Sequence, residues 1–276
     1  MTNLTKVLLP PEGDERVSRI IPIASCRPGK ALLNAWLALP TLLTPQARLA
    51  VVMHGVRRNA REYLETWREW SQSTGRPVLA PHFDSETWPR ARAYNLGNVL
   101  DSQDRRNPRR SWAFTALQHL VSDTRRQLQL ADLTWDLFGH SAGAQFVHRF
   151  ALLRPSSTLG AVVVAGAGWF TVPDPDLDWP YGTRHPGLDI DRTVLTAWTR
   201  RPIVLMRGGC DRVRDEHLRT APEADAQGLT RWDRAAHMLA AGQAYDPRCR
   251  WELIDVPAAS HSEQDMAPAV QAQWRA

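Results

Sequence analysis

The chain has 276 residues, 43% of them apolar and 23% charged, a globular mix that excludes wholesale disorder. No window approaches the roughly 18 uninterrupted apolar residues of a membrane-spanning helix, so no membrane span is expected. Lys plus Arg is 34 against 29 Asp plus Glu, a formal charge of +5; two of the bases are Lys (Lys6 and Lys30) and 32 are Arg. Acids are interspersed among them, and the densest run, Arg105-Arg106-Asn107-Pro108-Arg109-Arg110, sits beside Asp101 and Asp104. It reads as a solvated loop, not as a nucleic-acid surface.

The opening stretch Met1–Pro10 turns polar at Glu12, Asp14, Glu15 and Arg16, too soon for a signal-peptide core. The three Cys fit a reducing compartment, so a cytoplasmic location is expected.

Taken in chain order, Ser18–Ala24 and Ala31–Leu39 are apolar runs about Arg27-Pro28-Gly29, the pattern of an opening β-hairpin. Ala47–Met53 is a continuous apolar strand. Asn59 as cap, with Glu62 three residues on, opens a helix whose stripe is Tyr63, Leu64, Trp67 and Trp70; Gly75 ends it. Pro77–Phe83 is the next strand. Trp112, Ala116, Leu117, Leu120, Val121 and Leu128 predict an amphipathic helix capped by Ser111. Leu133–Phe138 is a strand, Ala142–Leu153 a helix stopped by Pro155, and Leu159–Ala165 a buried strand. Pro202–Met206 and Trp251–Val256 are further strands, separated by helical residues over 222–240, and Ser262 with Asp265 opens a terminal helix. Apolar strands alternating with helices predict an α/β fold: one domain, a mostly parallel central sheet with an N-terminal antiparallel hairpin, and helices on both faces. Residues 171–201 break the rhythm with four Pro and five Asp, and are expected to form a lid or pocket wall. Trp169, Phe170, Trp179 and Tyr181 cluster at its near side; Trp169, Phe170 and Tyr181 are substrate-binding candidates, the alternative being that the cluster holds the loop to the body.

The sharpest motif is Gly139-His140-Ser141-Ala142-Gly143, between a strand and a helix. A serine on such a tight turn projects its hydroxyl from the sheet edge, and bulkier neighbours than glycine would clash there. The following helix aims its N-terminal amides at the same point, where negative charge can be stabilised. Serine needs a base and an orienting acid. Asp211 and His261 each lie just past the C-terminal end of a strand, where open parallel sheets carry their sites, and Asp215 is a substitute acid. Val56, in His54-Gly55-Val56, and Ala142 are the candidate oxyanion donors. His54 and Arg57 are substrate-binding candidates, although for Arg57 and Arg58 a solvated position is the preferred reading over contact with an acidic substrate group. His217 and His237 read as surface residues, and Cys210 as a buried, inert thiol. Gly166-Ala167-Gly168 lacks the third glycine of a dinucleotide loop. There is no phosphate loop, no HExxH and no paired CxxC, so neither cofactor nor metal is expected.

The chain resembles the α/β-hydrolases over nearly its whole length, in the order Ser141, Asp211, His261. Within them it is similar to the esterase branch of polyhydroxybutyrate depolymerases and feruloyl esterases, on His54-Gly55-Val56-Arg57-Arg58-Asn59-Ala60, Tyr94-Asn95-Leu96-Gly97-Asn98 and Ala165-Gly166-Ala167-Gly168-Trp169-Phe170. The resemblance implies a serine esterase acting on a small ester through an acyl-enzyme. A silent ligand-binding hydrolase fold, a peptidase and an acyltransferase are the alternatives.

Overall fold

Every strand of the inner sheet divides its side chains between two separate cores, which is why those strands read as unbroken apolar runs. The computed structural model describes residues 18–25, 33–44 and 46–275. In β3 (Ala50–Met53), Val51 and Met53 enter one core while Ala50 and Val52 enter the other. Leu137 and Phe138 part in the same way in β5 (Trp135–His140), as do Val164 and Val163 in β6 (Leu159–Ala165).

The eight strands lie in the order β1-β2-β4-β3-β5-β6-β7-β8. β1 (Arg19–Ser25) pairs antiparallel with β2 (Leu33–Leu39), in register from Arg19 opposite Leu39 to Ser25 opposite Leu33, and β2 pairs antiparallel with β4 (Val78–His82). All later pairings, out to β7 (Ile203–Gly208) and β8 (Trp251–Val256), are parallel. The fold class predicted from the sequence is the one observed. The expected hairpin turn Arg27-Pro28-Gly29 and the opening stretch Met1–Pro10 lie outside the described residues.

One face is covered by α1 (Ala60–Thr74), through Leu64, Trp67 and Trp70, and by the C-terminal helix through Met266, Val270 and Trp274. Trp67 packs its ring 5.5 Å from Trp274 and 5.7 Å from Phe138. Side chains of this size each contribute about 1.5–3 kcal/mol by burial. Across the sheet lie α3 (Ala113–Gln127) with Leu117 and Leu120, and α4 (Ala142–Leu153) with Phe146 and Phe150; the four-residue α2 (Arg90–Ala93) precedes them.

Several boundaries differ from expectation. Ser111 closes a 3-10 turn, and Trp112 takes the cap position of α3. The stretch 171–201 contains α5 (Arg192–Thr199), where the Asp191 carboxylate accepts from the Val194 N–H at 2.8 Å. The helical stretch 222–240 is two helices, α6 (Pro222–Asp225) and α7 (Arg231–Tyr245). They part at Gly228, and α7 starts afresh with a reciprocal capping box between Thr230 and Asp233. α8 (Glu263–Gln273) ends the fold; Ser262 stands at its cap but makes no side-chain cap bond. The basic run is tied down: Arg105 pairs with Asp101, and Arg106 and Arg109 with Asp189. No described helix is long and apolar enough to cross a membrane.

Candidate active site

Because β3, β5, β7 and β8 run parallel, the loops leaving their C-terminal ends meet at one edge of the sheet. Ser141 lies between β5 and α4 with φ 55° and ψ −115°, a left-handed backbone that a side-chain-bearing residue adopts at a cost of about 1–3 kcal/mol. Its neighbours explain how the turn stays closed. A Cβ on Gly143 would stand 2.2 Å from the Met53 carbonyl oxygen, and one on Gly139 would stand 2.3 Å from that of Gly143. Glycine at both positions lets α4 press against the strand ends.

Two other loops converge on that serine. His261 Nε2 is 3.0 Å from Ser141 Oγ, and His261 Nδ1 is 2.8 Å from Asp211 Oδ2. The acid and histidine loops are stitched by the Gly209 N–H donating to Val256 O at 2.8 Å and the Cys210 N–H donating to Ala259 O at 2.9 Å. Asp211 is buried, and its other oxygen accepts from Arg231 Nη1 at 3.2 Å. Arg231, itself only 2% exposed, also donates to both oxygens of Asp215, at 2.6 and 2.8 Å. That pairing holds the Asp215 carboxyl down at about 2. Of the two acids left open by the sequence, Asp211 is the one in contact with His261.

A cleft of about 420 Å³ opens beside Ser141 and His261. Its walls are the loop Gly55–Arg57, the start of α1, residues 215–217 and the start of α8. Val56 and Arg57 are exposed on the first wall, and Ala142 is the first residue of α4. A Cβ on Gly55 would stand 3.7 Å from the Ser141 Cβ, so this loop borders Ser141.

Other proposed contacts are placed elsewhere. His54 is wholly buried beneath the loop; its Nδ1 donates to Gly55 O at 2.9 Å and its Nε2 accepts from the Phe83 N–H at 3.1 Å. Burial lowers its pKa to about 3, so it is a neutral brace of the loop. Trp169, Phe170 and Tyr181 are buried and absent from the cleft lining. Trp169 is occupied by the Arg149 guanidinium 4.1 Å over its ring and by Tyr181 at 4.7 Å, and Phe170 exchanges two 2.8 Å backbone bonds with the Gln227 amide. No residue of 171–201 lines this cleft.

Arg58, read as solvated, donates to the carbonyls of Phe83, Trp88 and Arg90 and stacks 4.2 Å over Tyr94. Cys210 is exposed, because its chain neighbour Asp211 takes the inward position. His217, read as surface, is exposed but stands on the cleft wall; His237 is exposed on α7, as read.

Four residues of the site carried no sequence signal of their role. Arg231 is one arginine among 32. Tyr63 reads as part of an apolar stripe and His140 as a filler of the elbow. Glu263 is buried at the cleft, accepting from Trp67 Nε1 at 2.9 Å and Thr66 Oγ1 at 3.0 Å; burial raises its carboxyl to about 7. Among the described residues no cluster of His, Cys, Asp and Glu is arranged to hold a metal ion.

No family model and no curated relative matches the chain. Among solved structures it is similar to poly(aspartic acid) hydrolase-1 of Sphingomonas sp., with 28% identity and a TM-score of 0.87, covering 92% of this chain and 97% of that one. It is also similar to a poly(3-hydroxybutyrate) depolymerase of Bordetella parapertussis, with 29% identity and a TM-score of 0.85, over 93% and 88% of the two chains. An S-formylglutathione hydrolase of Agrobacterium tumefaciens shares the fold at 13% identity and a TM-score of 0.58, over 95% of this chain and 97% of that one. The chain has the α/β-hydrolase fold and resembles the polyhydroxybutyrate-depolymerase-like branch of that superfamily.

Proposed function

We propose that the chain is a serine hydrolase that cleaves carboxylic esters through an acyl-enzyme on Ser141. The observation that carries the reading is the unbroken line from Asp211 Oδ2 through His261 to Ser141 Oγ, at 2.8 and 3.0 Å. In the tautomer this line favours, Nδ1–H donates to the carboxylate and bare Nε2 accepts the serine proton. The Ser141 oxygen attacks the ester carbonyl, and the amides of Val56 and Ala142 hold the negative oxygen that forms. The imidazolium, oriented by Asp211, returns its proton to the leaving alcohol. Water then enters, loses a proton to His261 and releases the acid from Ser141. No step calls for a cofactor.

An amide substrate is the second reading, favoured by the likeness to a poly(aspartic acid) hydrolase. The cleft argues against a polyanionic chain, since Glu62 and Glu216 line it beside a single arginine, Arg57. A panel of nitrophenyl esters of graded acyl length, feruloyl esters included, run beside matching anilides, tests the choice. Esters should turn over faster by orders of magnitude, and Ser141→Ala should abolish the release. Equal rates on the anilides would move the assignment to amidase, and undiminished release by Ser141→Ala would remove it.

A further inference from the structure

Resting on that reading, we propose that the Tyr63 hydroxyl is a third hydrogen-bond donor to the negative oxygen of the reacting carbonyl, oriented for this by His140. Tyr63 reaches up from α1 to line the cleft together with Ser141 and His261. A Cβ on Gly55 would stand 3.0 Å from the Tyr63 hydroxyl and 3.7 Å from the Ser141 Cβ. Phenol and nucleophile therefore face the same side of the loop that carries Val56.

The direction of the phenol proton follows from its partner. His140 is 4% exposed, and its Nδ1 lies 3.0 Å from the Tyr63 oxygen. Its Nε2 is buried with no hydrogen-bond partner among the described residues. A neutral imidazole carries one N–H, and an orphaned N–H is costlier to bury than an orphaned acceptor. The proton therefore sits on Nδ1 and is donated to the Tyr63 oxygen, which leaves the Tyr63 O–H free to point into the cleft.

Both groups keep these states. Burial and the neighbouring His261 and Arg231 hold the His140 pKa well below its usual value, so it adds no charge beside the His261 ring 4.7 Å away. Burial, helped by Glu263, raises the Tyr63 phenol above its usual value, so it remains a donor.

The test is Tyr63→Phe, which keeps the buried ring. We expect kcat for a nitrophenyl ester to fall about 100- to 1000-fold with KM within about twofold, as for loss of one oxyanion donor. Affinity for phenylboronic acid, which forms a tetrahedral anion on the serine, should fall by a similar factor. His140→Leu should copy the defect, and His140→Gln, which retains an N–H for the phenol oxygen, should restore part of it. Kinetics and boronate affinity within twofold of the parent in Tyr63→Phe, or a rise in KM alone, would overturn the inference, whatever the melting temperature does. A parent protein that hydrolyses no ester would instead overturn the reading on which it rests.

Discussion

The setting of Asp211, a residue legible in the sequence, depends on Arg231, which pattern reading does not find. Its carboxylate meets His261 on one side and Arg231 on the other, and Arg231 is spread across both Asp211 and Asp215. Arg231→Met removes the cation from two carboxylates, one of them buried. Breaking such a pair costs about 3–5 kcal/mol, so the melting temperature should drop, and a loosened Asp211 should lower kcat while leaving KM little changed. Thermal melts and steady-state kinetics on the same preparation check both. Glu263 makes a different prediction. Its folded-state pKa, about 7, lies above the ordinary carboxyl value of 4.5, so the folded protein holds its proton more tightly than the unfolded chain. Stability should fall as pH rises between about 4.5 and 7, and stay lower above that range. Glu263→Gln, which keeps an acceptor for Trp67, should flatten that portion of a melting-temperature-against-pH curve; an unaltered slope would refute the assignment.

At the scale of elements, the sequence reveals what is periodic and conceals what is held by single contacts. The runs Ala142–Leu153, Leu159–Ala165 and Trp251–Val256 coincide with their observed elements because each is an apolar pattern of one period with a clear stop. α5 is hidden because the prolines before it dominate the reading of 171–201, and the split between α6 and α7 because a single Gly228 interrupts an otherwise helical composition. The elbow was legible since its glycines answer a steric demand that the motif itself states. Of the candidate substrate contacts only Arg57 reaches the cleft, because an aromatic near a Pro-rich segment looks the same whether it faces a ligand or, like Trp169, a buried arginine. Gly143→Ala tests the elbow as an element. Its methyl would enter the Met53 carbonyl, so the α4 start must shift away from β3. We expect a loss of about 2–4 kcal/mol in stability and of most hydrolase activity, read by denaturant unfolding and by turnover.

Across the whole molecule, stability and chemistry sit at opposite ends of one strand. Asp136 is the second residue of β5, and Ser141 directly follows its last. Asp136 is fully buried and accepts from Arg76 Nη2 at 2.5 Å, Arg48 Nη2 at 2.8 Å and the Ala161 N–H at 2.8 Å. The same Arg76 stacks 4.9 Å over Trp70, tying the bottom of the sheet to α1. Asp136→Asn should lower stability by about 3 kcal/mol while the folded fraction keeps its kcat, because the change leaves the catalytic edge untouched. A large fall in kcat at a temperature where the variant is fully folded would show that the two ends are coupled. The central claim, that Ser141 is made nucleophilic by His261, is tested most directly by intact-mass and peptide mapping after treatment with a fluorophosphonate. A single adduct on Ser141 is expected, absent in Ser141→Ala and formed far more slowly in His261→Ala. An unlabelled folded protein, or labelling at Ser141 that proceeds undiminished without His261, would contradict it.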